Sequence, residues 1–203
     1  MSRSTWQALW LVHSRQRRWL ACLLWPVSLV YGALMGLRRA LYGLGIIKTH
    51  LIDRPVIVIG NVVVGGAGKT PTVIAVVNHL REQGWKPGVV SRGHGRHSQA
   101  VVEVGPDTPP RDSGDEPALI RLRTGVPVFV AASRVAAANA LLNAHPEVNI
   151  VVCDDGLQHW ALRRDLQIIV FDDRGTGNGW LLPAGLLREA WPRQTSGRAP
   201  PEL

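Results

Sequence analysis

Cysteine is nearly missing from this sequence: Cys22 and Cys153 are the only two in 203 residues. One lies in an apolar segment and the other in a predicted strand, so they form neither a disulfide framework nor a thiolate metal pattern, and they fit a reducing, cytoplasmic compartment. The seven histidines are scattered, and only His94 and His97 in "HGRH" stand close together. Without further donors nearby, zinc is not expected there. Internal repeats and low-complexity runs are also missing. Acidic residues are absent from positions 1–50, which carry Arg3, Arg15, Arg17, Arg18, Arg38, Arg39 and Lys48, a charge of +7. The remaining residues hold 16 basic and 15 acidic side chains, so the formal +8 belongs almost wholly to the N-terminal segment. A globular part so close to neutral argues against a basic nucleic-acid face.

The same N-terminal segment holds Trp6, Trp10, Trp19 and Trp25, four of the eight tryptophans, and both tyrosines, Tyr31 and Tyr42. Between Arg18 and Arg38 lies "WLACLLWPVSLVYGALMGL", 19 residues without a charge. That length can cross a bilayer. Pro26, Ser28 and several small residues weaken a span, and Arg at both ends gives no crossing direction. Cations flanking an apolar run with interspersed Trp and Tyr suit an interfacial helix equally well. A helix buried against the domain is the plainer alternative. A cleaved signal peptide is disfavoured by the long apolar run and the lack of a small-x-small site after it. Residues 1–50 are therefore expected to form a membrane-associated segment.

From about residue 54 the pattern changes to short aliphatic runs separated by helical stretches. "PVIVIGN" (55–61), "PGVVS" (87–91), "VPVFVA" (126–131), "NIVVCDD" (149–155) and "LQIIVFD" (166–172) predict strands apolar on both faces, which belong to a covered, mostly parallel sheet. Residues 70–84 and 133–145 predict the helices between them. The expected fold is a doubly wound α/β sheet whose ligand site lies beyond the C-terminal strand ends.

"GNVVVGGAGKTP" (60–71) follows the first strand. The strict phosphate-loop pattern asks for Gly at 63, where this chain has Val63. Gly65, Gly66 and Gly68 still free the backbone to turn its N–H groups toward a phosphate. Lys69 supplies a cation for the β- and γ-phosphates and Thr70 a hydroxyl for Mg²⁺, at the N-terminus of a helix that Pro71 helps to open. Residues Val63, Val64, Gly65, Gly66, Ala67, Gly68, Lys69 and Thr70 are thus the expected ATP cradle. Asp154 and Asp155 stand at the end of an aliphatic strand, as Walker B acids do, and are the expected metal region. "SRGHGR" (91–96), with Arg92 and Arg96, suits anionic groups. Asp115 in "SGDEPALI" (113–120) can be a helix N-cap or can activate an attacking hydroxyl, and the residues alone leave both open.

These blocks, with "DDGLQHWALRRDLQIIVFD" and "GNGWLLPAGLLRE", occur in an order that closely resembles the tetraacyldisaccharide 4'-kinase family, over roughly residues 20–193. The resemblance implies a P-loop kinase core at 51–193. It also implies transfer of the ATP γ-phosphate, with Mg²⁺, to the 4'-hydroxyl of an acylated glucosamine disaccharide 1-phosphate in lipid A biosynthesis, giving lipid IVA. It places the protein at the cytoplasmic face of the bacterial inner membrane. It assigns Lys69, Asp155 and the acceptor-activating Asp115 to catalysis, and Arg92, Arg96, Gln158 and His159 to the substrate side. Leu186 and Ala190 stand where the family commonly has Pro, and His94 where Tyr is usual. The tail "QTSGRAPPEL" resembles no folded continuation into the family's second lobe, so a shortened chain is expected. A partition-type ATPase and an inactive nucleotide-binding fragment are the rival readings. The first usually carries Lys just before its paired glycines, where this chain has Val64. No N-K-x-D guanine reader is present.

Overall fold

The computed structural model describes residues 15–96 and 100–192, with only the backbone at 15–18. Trp6, Trp10, His97, the tail from residue 193 and the expectations attached to them lie outside the described residues. The chain groups into two compact units, one from Met1–Ile47, Asn61–Ala67 and Val170–Ala199, the other from Lys48–Gly60, Gly68–Ile169 and Pro200–Leu203.

The second unit carries the sheet. Its strands are β1 (Val56–Gly60), β2 (Pro87–Ser91), β3 (Val102–Glu103), β4 (Val128–Val130), β5 (Ile150–Asp154) and β6 (Leu166–Ile169). They lie in the order β3-β4-β2-β5-β1-β6. Every pairing is parallel except that of β3 with β4 at one edge. Val89, Val90, Val151 and Val152 are wholly buried, as expected for strands covered on both faces; each contributes about 1.5–3 kcal/mol by leaving water. The mostly parallel α/β sheet expected from the aliphatic runs is present. β6 differs from its expectation: it ends at Ile169 and is mostly half-buried. It is an edge strand with β1 as its one neighbour, and β1 ends at Gly60, the partner of Ile169, so the ladder stops before residues 170–172.

Between the strands run α2 (Lys69–Glu82), α3 (Pro110–Ser113), α4 (Asp115–Thr124) and α5 (Arg134–Ala144). Helix α2 starts one residue earlier than expected, with Gly68 in its cap position at φ 74° and Pro71 in the first turn, where its missing N–H costs nothing. Ser133 caps α5 through its side chain, accepting from the N–H of Ala136, as N-cap serines do. Leu141 of α5 seats over Gly88 of β2, where a Cβ would lie 2.7 Å from Leu141 Cδ2. That strand glycine is what lets the helix approach so closely.

The first unit carries α1 (Arg15–Gly43), 29 residues that continue through Pro26. Its stretch Trp19–Gly43 is long and apolar enough to cross a membrane. Leu23, Val30, Leu34 and Leu37 are exposed, so the helix is not the buried core helix of the plainer alternative. One stripe is held: Ser28 Oγ donates to the Leu181 carbonyl and accepts from the Ala184 N–H, both at 2.9 Å. Tyr31 Oη donates to the Arg188 carbonyl at 2.7 Å.

Candidate functional site

The parallel register decides which side chains meet at the C-terminal strand ends. Pairing of Val90 with Cys153 makes Ser91 and Asp154 the next neighbours across β2 and β5. Ser91 Oγ donates to Asp154 Oδ2 at 2.9 Å, inside the fold. Asp154 is fully buried, and its Oδ1 has no hydrogen-bond partner among the described residues. Burial pushes its carboxyl up to about 6, helped by the charges of Glu116 and Asp155 and opposed by the Ser91 bond and Lys69. A buried carboxylate oxygen with nothing opposite it is costly unless a cation or water meets it.

Asp155 turns the other way. Its φ of 46° is left-handed, unusual for a residue with a side chain. That conformation sets its carboxylate 3.5 Å from Lys69 Nζ. Its carbonyl accepts from Arg134 Nη2 at 3.0 Å, a nearly buried arginine in the first turn of α5. Gly156 follows because a Cβ there would lie 2.3 Å from Cys153 Sγ. Arg164 straps the turn beyond, donating to the carbonyls of Leu157 at 2.9 Å and His159 at 3.0 Å. Gln158 and His159 are half-buried within that turn. The expected acid pair is therefore two different groups: one sunk under the strand ends, the other presented to the lysine.

The loop after β2 meets the start of α4. A Cβ on Gly114 would lie 3.1 Å from the backbone of Gly93 and from the His94 carbonyl, so the two loops pack glycine against glycine. Gly114, at φ 87°, occupies the N-cap position of α4 and no side chain caps it. Asp115 is thus the first helical residue and not the N-cap, which corrects one of its two readings. It is exposed, beside Glu116, whose charge reaches Asp154. Arg92 is exposed. Arg96 donates to the carbonyls of Ala100 at 2.7 Å and Val130 at 3.3 Å.

Residues 61–67 belong to the first unit and Gly68, Lys69 and Thr70 to the second. Within the first unit, the N–H of Val64 donates to the Leu186 carbonyl at 2.9 Å. Val63 forms a bridge with Leu187. Position 63 thus works as a buried, strand-like residue, a role in which valine is favoured. Asn61 Nδ2 donates to the Gly65 carbonyl at 3.1 Å. Gly65 has φ 106°, and the N–H groups of Gly65, Gly66 and Ala67 donate to no described residue. Successive amides of this kind in a glycine-bared turn fit an anion.

Mg²⁺ fits this donor set in a limited way. No three His, Cys, Asp or Glu side chains among the described residues gather as a metal site, so a closed protein cage is excluded there. The orphaned Asp154 oxygen and the Thr70 hydroxyl suit an ion that keeps most of its ligands as water and phosphate. The sequence by itself does not single out Ser91 or Arg134. Only the β2–β5 register shows the first, and nothing local marks the second.

Comparison with known proteins matches residues 20–199 to the family model for tetraacyldisaccharide-1-P 4'-kinase. The tetraacyldisaccharide 4'-kinase of Polaromonas naphthalenivorans is 60% identical over 180 residues, 89% of this chain and 52% of the relative. That of Delftia acidovorans is 53% identical over 192 residues, 92% of this chain and 57% of the relative. The "apo" form of LpxK from Aquifex aeolicus, solved in complex with ATP, superposes with a TM-score of 0.74 at 33% identity, covering 84% of this chain and 54% of that one. The chain spans about half the length of the curated relatives it matches. A partition-type ATPase is not favoured by these matches. The chain belongs to the tetraacyldisaccharide-1-P 4'-kinase family.

Proposed function

We propose that this chain supplies the nucleotide-binding half of a kinase that moves the ATP γ-phosphate to the 4'-hydroxyl of a tetraacylated glucosamine disaccharide 1-phosphate, giving lipid IVA. The observation that carries this is the juxtaposition of Lys69, Asp155 and the buried Asp154 at the C-terminal ends of β1 and β5. Lys69 Nζ lies 3.5 Å from the Asp155 carboxylate. A triphosphate entering the loop takes that ammonium, and the amides of 65–67 meet its oxygens. Bound Mg²⁺, near Thr70, Asp154 and Asp155, would neutralise charge on the β- and γ-phosphates.

In the transfer, the 4'-oxygen forms a bond to the γ-phosphorus as the bond to the β–γ bridging oxygen breaks. ADP leaves with that electron pair. The hydroxyl proton goes to the Asp115 carboxylate, which is exposed and held at the start of α4 without a capping duty. Such a reaction is driven mostly by positioning and charge stabilisation, so loss of Lys69 should cost more than loss of Asp115. Arg92 and Arg96 flank the loop after β2 and, with Gln158 and His159, are proposed to face the acceptor. The exposed apolar face of α1 is proposed to lie on the cytoplasmic face of the inner membrane, keeping the acceptor's acyl chains in the leaflet while its sugar rises to the site.

The test uses ATP labelled at the γ-phosphate and a tetraacylated disaccharide 1-phosphate in detergent. It compares the chain alone with the chain joined to the C-terminal half of the Polaromonas relative. Label should pass to the lipid in the joined chain and vanish with Lys69→Ala. Hydrolysis of ATP that ignores the acceptor would refute the kinase reading.

A further inference from the structure

The segment after β6 returns to the phosphate loop within the same compact unit. Arg174 lies in it, and its guanidinium does two things at once. Toward its own segment it meets the Asp172 carboxylate, with Nε 2.8 Å and Nη2 2.6 Å from Oδ2. Toward the loop, Nη1 donates to the Val64 carbonyl at 3.3 Å and Nη2 to the Gly66 carbonyl at 3.0 Å. Asp172 also accepts from the backbone N–H of Arg174 at 3.1 Å, so the carboxylate fixes both the turn and the side chain. Arg174 is largely enclosed, with its side chain 13% exposed.

A trans peptide holds its C=O and N–H pointing in opposite directions. Tying the Val64 carbonyl to Arg174 therefore turns the Gly65 N–H away from the guanidinium. Tying the Gly66 carbonyl does the same for the Ala67 N–H. Asn61 acts on the peptide between them by holding the Gly65 carbonyl at 3.1 Å. The three N–H groups so directed are the ones without a described acceptor. Gly65 and Gly66 carry no Cβ to resist a peptide flip, so the loop's sequence alone does not set these orientations.

We infer that Arg174, locked by Asp172, is a positioning residue that presets the phosphate-loop amides for the nucleotide. It does not touch phosphate: it grips the carbonyl side of the loop. Its planar fork reaches two carbonyls and a carboxylate together, which an ammonium cannot do. This rests on the nucleotide-binding reading above.

The experiment uses the full chain and a methylanthraniloyl-labelled ATP, ADP and AMP series with Mg²⁺, together with amide hydrogen exchange. Arg174→Ala should weaken ATP by at least ~10-fold, the scale of losing two aligned amide contacts, and ADP and AMP progressively less. Arg174→Lys should recover part of that loss, and Asp172→Asn should fall between. Exchange should rise in peptides covering 61–68 while β5 keeps its protection. ATP binding by Arg174→Ala equal to wild type would overturn the inference. So would an equal loss for all three nucleotides with faster exchange throughout, since that is general loosening. Lys69→Ala separates the two claims. If Lys69→Ala weakens ATP and Arg174→Ala does not, the positioning role alone fails. If neither weakens it, the nucleotide site itself is misplaced and both fail.

Discussion

Replacing Asp154 by Asn should stabilise the nucleotide-free chain at neutral pH. The buried carboxyl is pushed from 3.8 to about 6, chiefly by burial, so the fold prefers its protonated form. Its contribution is complete below pH 3.8 and is lost as pH rises through about 6. At about 1.4 kcal/mol per pH unit, ionised Asp154 costs the fold about 3 kcal/mol at pH 7.5. Asn keeps an oxygen for the Ser91 hydroxyl but puts an NH₂ where Oδ1 has no partner, returning about 1–2 kcal/mol of the gain. The net stabilisation is about 1–2 kcal/mol, or roughly 5 °C in a chain of this size. Thermal unfolding in mild detergent without metal, at pH 4.5 and 7.5, reads it. The gain should appear at pH 7.5 and shrink at pH 4.5. Adding MgATP should reverse the ranking, because only the wild type offers the ion a carboxylate. An Asn variant that melts lower than wild type at both pH values without metal would refute the argument.

Gly156→Ala should destabilise the chain by about 2–3 kcal/mol, because the new Cβ meets Cys153 Sγ at 2.3 Å. Adding Cys153→Ala should restore part of that loss, which urea titration of the single and double variants would show. Leu23→Lys with Leu34→Lys, on the exposed face of α1, should weaken flotation with anionic vesicles while leaving ATP affinity unchanged. Equal loss of both would contradict the membrane role of that face.

What the sequence discloses follows from how local the physics is. Strands β1, β2, β4 and β5 announce themselves because burial on both faces demands unbroken aliphatic runs; the half-buried edge strand β6 carries such a run without that burial. Strand β3 does not: two residues, Val102 and Glu103, on an antiparallel edge leave no pattern. Helix α3 is a single turn and leaves none either. Pro26, expected to weaken a membrane span, does not end the helix: α1 runs through it. Among the candidate site residues, the loop glycines, Lys69, Thr70 and the Asp154–Asp155 pair stand out in the sequence because the proposed chemistry is carried by neighbours in the chain. Ser91, Arg134 and Arg174 are not, because each acts on a group far away in sequence. Arg174 reaches the loop across 108–110 positions, a distance at which no spacing rule operates. Asp115 was legible as a functional carboxylate or a cap. Only the position of Gly114 decides against the cap.

Where the triphosphate binds is read most directly from a crystal structure of the chain with Mg²⁺ and a non-hydrolysable ATP analogue. Phosphate oxygens are expected against the amides of Gly65, Gly66 and Ala67, with Lys69 Nζ moved from Asp155 onto the γ-phosphate. A nucleotide seated elsewhere, with Lys69 still 3.5 Å from Asp155, would contradict that placement.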